Sequence, residues 1–122
     1  MLFEAVTLHR RFPFAVLVGM FFFDEGAAGD DTSKRRSTFE NAHRQFRLFT
    51  DRPDPEGREE QFERFYIALH NANPTSPSFR FFRVGDSSRA IALDAIFDDV
   101  IDLLVARNPD FYESIDGVLR AI

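Results

Sequence analysis

The chain has 122 residues, a length that gives one domain with a hydrophobic core of its own. It contains 16 phenylalanines and no cysteine, which excludes disulfides, thiolate metal sites and a cysteine nucleophile. The net charge is −5, and the excess lies in residues 84–122, which hold eight acidic and three basic residues. An acidic surface of this kind favours a basic protein partner over the phosphate backbone of a nucleic acid. We therefore do not expect a nucleic acid as a partner.

Two strands are predicted near the start of the chain. Residues 2–8 are rich in strand-forming residues, and residues 14–23 form an apolar run that is typical of a strand covered on both faces. Because the two segments are short and adjacent, we predict a β-hairpin. The apolar run over 12–23 is too short to span a membrane, which takes about 20 residues. We prefer a buried strand to an export signal here, and therefore the cytoplasm to secretion, with no membrane contact.

Two helices are predicted in the middle of the chain, after an exposed loop over 24–37. The first covers 38–49 and begins at a capping box made by Ser37 and Glu40. The second covers 55–70. Its apolar positions, which recur at helical spacing, are Phe62, Phe65, Tyr66 and Leu69.

A third strand is predicted over 79–84, followed by helices over 87–106 and 109–121. The expected fold is therefore a single α+β domain over 1–122, in the order ββααβαα. Its small, mainly antiparallel three-stranded sheet is covered by about four helices. The side chains predicted to be buried are Phe14, Val16, Val18, Phe22, Phe46, Phe65, Phe81, Phe97 and Leu104.

Four aspartates fall together in the third predicted helix, and the sequence DDVID (98–102) has the spacing of the aspartate motif that holds magnesium–diphosphate in isoprenoid synthases. That site needs carboxylates from two facing helices, and this chain has no second aspartate-rich helix. We interpret the four as a solvated helix face opposite the apolar stripe. Like charges at this spacing cost a little stability, which leaves room for a binding role. The predicted docking residues are Asp94, Asp98, Asp99 and Asp102.

The remaining polar motifs predict neither a metal site nor a cofactor. The histidines have no zinc-ligand spacing, and no glycine-rich phosphate loop is present in the sequence. The stretch over 79–84 alternates aromatic residues with Arg80 and Arg83, but these arginines fall on opposite faces of a strand. They cannot form one nucleic-acid platform.

The predicted function is that of a non-catalytic, small acidic protein-binding module, such as an accessory subunit, an inhibitor or an immunity-type factor. It would dock on a basic protein surface, and no catalytic residue is assigned. The alternative is a small enzyme or ligand-binding domain whose pocket gathers His43 and His70 with loop carboxylates such as Asp24 and Glu25. Surplus phenylalanine also suggests a homo-oligomer, with its contact at Phe21 and Phe23.

Overall fold

The computed structural model describes residues 2–122, with side chains from residue 3 onward. The predicted α+β class is confirmed, and the described residues form a mixed three-stranded sheet, three α-helices and a separate hairpin. The elements are α1 (Leu2–Arg11), β1 (Val18–Asp24), α2 (Thr38–Phe46), β2 (Arg64–Asn71), β3 (Ser78–Arg83), α3 (Leu93–Arg107), β4 (Tyr112–Ile115) and β5 (Val118–Ala121). None of the helices in this part of the chain is long and apolar enough to cross a membrane.

The sheet has the order β1-β2-β3, with β2 in the centre. Strands β1 and β2 are parallel, from Val18 opposite Arg64 to Asp24 opposite His70, and the chain between them passes through α2. Parallel neighbours need such a crossover connection, whereas the antiparallel pair β2 and β3 is joined by a short loop. The prediction of a mainly antiparallel sheet is therefore wrong: the sheet is mixed.

One face of the sheet packs against α2 and carries the core. Strand residues Phe65, Ile67 and Leu69 are buried there with Phe39 and other side chains of α2. The predicted start of α2 is confirmed, since the Ser37 hydroxyl accepts a hydrogen bond from the Glu40 N–H at 3.1 Å. A Cβ at Gly19 would lie 2.5 Å from the Phe65 ring, so this position in β1 has no room for a side chain.

The first predicted strand, over 2–8, is wrong, because this segment is the helix α1. Its inward positions are Ala5 and His9, one helical turn apart and both buried, while Phe3 is 87% exposed. The inward face of α1 therefore consists of one small and one polar side chain. The spacing of the large apolar side chains in this segment resembles that of a strand, which led to the wrong prediction. The following predicted strand, over 14–23, is displaced and begins at Val18.

The predicted helix over 55–70 is also wrong: its second half is the central strand β2. Residues 65–69 are buried without a break, which is the pattern of a strand covered on both faces. Before it, the chain turns at 54–57, where the Gly57 N–H donates to the Asp54 carbonyl at 3.0 Å. The helical spacing of Phe62, Phe65, Tyr66 and Leu69 fits a continuous apolar strand equally well.

The predicted helix over 109–121 is wrong as well, because this segment is the β4–β5 hairpin. Its two-residue turn is Asp116-Gly117, with φ of 52° and 76°. Two successive positive φ values define the turn type that Asp-Gly favours between antiparallel strands. The observed order is αβαββαββ, in place of ββααβαα. The third strand falls close to its predicted place, and the helix predicted over 87–106 ends as expected but begins only at Leu93.

The predicted core is right in part. Phe65 is buried, and Val16, Phe46, Phe81 and Leu104 are partly buried. The exceptions are exposed: Phe14, Val18, Phe22 and Phe97. Their positions follow from the corrected elements, since Phe14 precedes β1, Phe22 lies on the sheet face away from α2, and α3 is rotated from its predicted phase.

Candidate functional site

The outer face of α3 presents carboxylates and apolar side chains together. Asp94, Asp98 and Asp102 are exposed at successive helical turns, and beside them Phe97 is 57% exposed and Leu93 43%. Within residues 2–122, none of the three carboxylates forms an ion pair or a side-chain hydrogen bond. We call these five residues the α3 outer face. It combines unneutralised charge with an aromatic ring that the fold leaves uncovered.

Asp99 lies on a different side of α3 from these three aspartates. Its Oδ2 accepts a hydrogen bond from Arg64 Nε at 2.7 Å and one from the Tyr66 hydroxyl at 3.2 Å. The prediction that all four aspartates share one solvated face is therefore wrong for Asp99. The helix turns Ile96 and Asp99 toward the sheet, together with Arg107 at its end.

The contact of Asp99 with the sheet perturbs two titrating groups. Burial alone would raise the pKa of Asp99, but the hydrogen bond and charge of Arg64, with the Tyr66 hydroxyl and Arg83, hold that pKa below its usual value. Burial also raises the pKa of Tyr66 to about 12, with further contributions from the charge and hydrogen bond of Asp99. Asp99 is thus an ionised tie between α3 and β2.

A second group of charges lies inside the protein. The Glu63 cluster consists of His9, Arg52, Glu63 and Arg107, whose side chains are between 0% and 4% exposed. Glu63 Oε1 is 2.8 Å from His9 Nε2 and accepts the Leu17 N–H at 2.9 Å. Its Oε2 accepts from Arg52 Nη1 at 3.2 Å and from Arg107 Nη1 at 3.3 Å. One carboxylate therefore serves three basic side chains.

Backbone carbonyls complete the Glu63 cluster. His9 Nδ1 lies 2.8 Å from the Glu59 carbonyl oxygen, which can only accept, so this nitrogen carries a proton. Arg52 donates to the carbonyls of Pro13 at 3.1 Å and Pro55 at 2.8 Å. The cluster joins α1, the segment before β1, the loop before β2 and α3. Its histidine and carboxylate are closed to solvent, and a substrate has no access to them.

The two other histidines do not come together. His43 is buried on α2, and its Nδ1 accepts the Gly85 N–H at 3.1 Å, beyond the end of β3. His70 pairs with Phe79 at the opposite end of β3. Burial lowers the pKa of His43, although the charges of Glu40 and Asp86 raise it, so the ring is neutral at pH 7.

The loop carboxylates proposed for the alternative pocket have local partners. Asp24 accepts the Gly26 N–H at 2.9 Å, and Glu25 pairs with Arg80 at 3.1 Å. Across residues 2–122, no group of three or more histidine, aspartate or glutamate side chains is arranged to hold a metal ion. Of the four residues named for this pocket, Asp24 and His70 lie opposite each other on β1 and β2, whereas His43 lies beside Gly85 at the other end of β3.

The two residues predicted for an oligomer contact pack within the chain. The Phe21 ring stacks on the Phe46 ring with 4.7 Å between the ring centroids, and its centroid lies 5.9 Å from that of Phe65. Phe23 borders the same core. The neighbouring Phe22 points to the other face of the sheet and meets Phe79 edge-on at 6.3 Å. A homo-oligomer through Phe21 and Phe23 stays a prediction.

The Glu63 cluster is the feature that sequence reasoning missed. Its members are 11 to 54 positions apart from Glu63, so no local spacing connects them. The one available signal is weak: Glu63 immediately precedes an apolar strand, and Arg107 ends an apolar helix.

A comparison of this chain with protein-family models, with curated proteins and with solved structures finds no match.

Proposed function

We propose that this chain is a non-catalytic, acidic protein-binding module that docks on a basic protein surface through the α3 outer face. The observation that carries the proposal is the exposed ring of Phe97 beside three carboxylates that have no ion-pair partner within residues 2–122. Asp99 would act indirectly, because it fixes the helix on the sheet through Arg64.

The composition of this face suits protein recognition. Interfaces concentrate their binding energy in a few residues, and an aromatic ring that fills a pocket on the partner is a common anchor. Burying a phenylalanine contributes roughly 1.5–3 kcal/mol, and about half of Phe97 is still available for burial. Leu93, on the same face, would extend the apolar contact in the manner of a helix lying in a groove.

The negative charges of this face suit a partner whose surface is positively charged. Asp94, Asp98 and Asp102 repel one another at a spacing of four residues, and a basic partner would relieve that repulsion. The surrounding sequence reinforces them, since residues 84–122 carry the acidic excess of the chain. Complementary charge mainly accelerates association, and the gain falls as salt rises because the Debye length is about 8 Å at physiological ionic strength.

The proposal is tested by affinity capture from the native host with four tagged versions of the full chain. These are wild type, Phe97→Ser, Asp98→Asn with Asp102→Asn, and a charge-matched control with Asp31→Asn and Glu56→Gln. The control removes two exposed carboxylates elsewhere in the chain. We expect wild type and the control to capture the same basic protein, quantified by mass spectrometry, and both α3 variants to lose it.

Kinetics then test the role of charge. With the captured protein immobilised, surface plasmon resonance should show slower association of the Asp98→Asn, Asp102→Asn variant at low salt and a much smaller difference at high salt. Equal association rates of this variant and the wild type at low salt would remove the α3 outer face as the docking site. The basic loop Lys34–Arg36 would then be the next surface to test.

A further inference from the structure

The two edges of the three-stranded sheet are protected to different degrees. At the β3 edge, the Phe81 carbonyl accepts the Ile91 N–H at 2.8 Å, so part of this edge is already bonded. Arg80 and Arg83 add two charges to the same strand. Charged side chains and covering segments are the usual means by which proteins prevent an edge strand from pairing with another chain. The β1 edge differs from the β3 edge in both respects.

Strand β1 is long, regular and uncharged along most of its length. Its sequence over Val18–Asp24 is VGMFFFD, which contains no proline and has its single charge at the last residue. Its pairing with β2 advances one residue at a time, without a bulge. Within residues 2–122, no backbone hydrogen bond joins the open side of β1 to another segment. An apolar edge of this kind is a surface on which another strand can pair.

The free backbone groups of this edge can be assigned by residue. The Leu17 carbonyl, immediately before β1, accepts the N–H groups of Glu63 at 3.0 Å and Arg64 at 3.3 Å, so Leu17 faces β2. Successive residues of a strand direct their N–H and C=O groups to opposite sides, so the odd-numbered residues of β1 also face β2. The residues whose backbone groups face outward are Val18, Met20, Phe22 and Asp24. Alternating donors and acceptors at this spacing require an extended chain as their partner.

The side chains of the same residues leave apolar surface in water. Phe22 is 56% exposed and Val18 is 39% exposed, and Met20 lies between them on the same sheet face and is partly exposed. A strand that pairs with this edge would therefore bury apolar side chains in addition to bonding the backbone groups. Cross-strand pairs of this kind stabilise a sheet.

We propose that a second copy of this chain occupies the β1 edge, with the two β1 strands antiparallel about a two-fold axis at Phe21. In this register Met20 lies opposite Phe22 of the second copy, and Val18 lies opposite Asp24 of the second copy. Outward-facing backbone groups then meet outward-facing groups, and the two sheets continue as one across the axis. The contact uses the backbone of β1 and its outer side chains, whereas Phe21 and Phe23 keep their places beside the core.

The second copy is favoured as the occupant because β1 is complementary to itself. A two-fold contact places the same surface on both sides, so like charges at its centre would repel. The residue on the axis is Phe21, which is uncharged. Asp24 lies opposite Val18, and the two copies of Asp24 are about 20 Å apart at about 3.4 Å per residue. A basic protein, by contrast, would meet no carboxylate along residues 18–23.

The mass of the full chain in solution gives the first test. Sedimentation equilibrium at increasing protein concentration should show the mass rising from 14.1 kDa toward twice that value. Phe22→Lys should raise the dissociation constant of the dimer by about tenfold or more, because it places a charge within the paired edge. Phe79→Lys is the matched control, since Phe79 is 57% exposed and meets Phe22 edge-on but lies on β3. It should dimerise like the wild type.

Amide hydrogen exchange, followed by NMR, tests the backbone register. In the dilute protein, the Met20 and Phe22 amides should exchange quickly, whereas the Phe21 amide is protected by its bond to β2. At high protein concentration, the Met20 and Phe22 amides should become protected as well. Melting temperatures of the dilute variants verify that Phe22→Lys and Phe79→Lys are folded.

Several results would overturn the proposal. One is a wild-type mass of 14.1 kDa at every concentration, and another is a Phe22→Lys variant that dimerises as well as the wild type. Equal weakening by Phe79→Lys would indicate packing through the sheet faces, and a dimer with unprotected Met20 and Phe22 amides would exclude edge pairing. Protection that appears only when the captured basic protein is added would make a strand of that protein the occupant.

Discussion

The Glu63 cluster and the α3 outer face use charge in opposite ways. Inside, one carboxylate is surrounded by two arginines, a histidine and a backbone N–H, and every one of these contacts is within the chain. Outside, three carboxylates stand on one helix with no ion-pair partner in the described residues. Buried charge that is bonded within the chain fixes how segments meet, whereas exposed charge without a partner is free to act on another molecule.

The largest expected effect comes from removing the buried negative charge of the Glu63 cluster. Replacing Glu63 by Gln should destabilise the protein by about 3–5 kcal/mol, because Arg52 and Arg107 lose their counter-charge while remaining buried. The measurement is the free energy of unfolding in urea.

Glu59→Gln is the matched control for Glu63→Gln. Its carboxylate pairs with Arg10 on the surface, and such exposed pairs contribute about 1 kcal/mol or less. A loss at Glu63 as small as the loss at Glu59 would show that the buried cluster does not hold the segments together.

Asp99 is intermediate between the buried Glu63 and the exposed aspartates of the α3 outer face, because it is half-buried and bonded to Arg64 and Tyr66. Asp99→Asn should cost about 1 kcal/mol at pH 7, a figure reduced for solvent screening. Since the folded pKa of Asp99 is lowered, the contribution is present above the unfolded value of about 3.9. It is lost as the pH falls through the folded pKa.

The pH dependence of unfolding tests this assignment. The difference in unfolding free energy between wild type and Asp99→Asn should shrink as the pH falls below about 4. A difference that stays constant from neutral pH to that range would show that the ionised carboxylate is not the stabilising species.

Phe97 tests the exposed side of the comparison. Phe97→Ser should change the unfolding free energy by less than about 1 kcal/mol, because more than half of the ring is already in water. Phe65→Ala, at a fully buried ring, should cost about 3–5 kcal/mol under the same conditions. Comparable losses at the two positions would contradict the helix phase that places Phe97 outward.

The smallest effect is expected from the carboxylates themselves. Changing Asp98 and Asp102 together to Asn removes like-charge pairs at a spacing of four residues, so stability should rise by roughly 0.2–0.5 kcal/mol. Thermal melting at low and high salt would measure it, and the gain should be smaller at high salt. A loss of stability would show that these carboxylates do make stabilising contacts in the folded chain.

The sequence predicted the elements that local signals define. The cap at Ser37 located α2, and the alternation over 79–84 located β3. The Asp116-Gly117 turn was a local signal too, and the helical spacing of neighbouring apolar residues obscured it. The spacing through Phe65 and Tyr66 fits a helix and a buried strand alike, and only burial on both faces decides between them.

The candidate sites were predictable to a different degree. The outer aspartates follow from helical spacing, although the inward turn of Asp99 depends on Arg64, which lies 35 positions earlier. The Glu63 cluster joins segments that are distant in sequence, and a buried arginine or glutamate looks in sequence like a surface one. Tertiary contacts, and no local propensity, create this cluster.

The wide separation of the Glu63 partners along the chain has a kinetic consequence. His9 and Arg107 lie 54 and 44 positions from Glu63. The long chain segments between Glu63 and each partner must therefore close before these contacts can stabilise the fold. We expect the βαβ unit to form early and the ionic contacts of α1 and α3 to form after the transition state. Loss of the cluster would then leave the refolding rate nearly unchanged and shorten the lifetime of the native state.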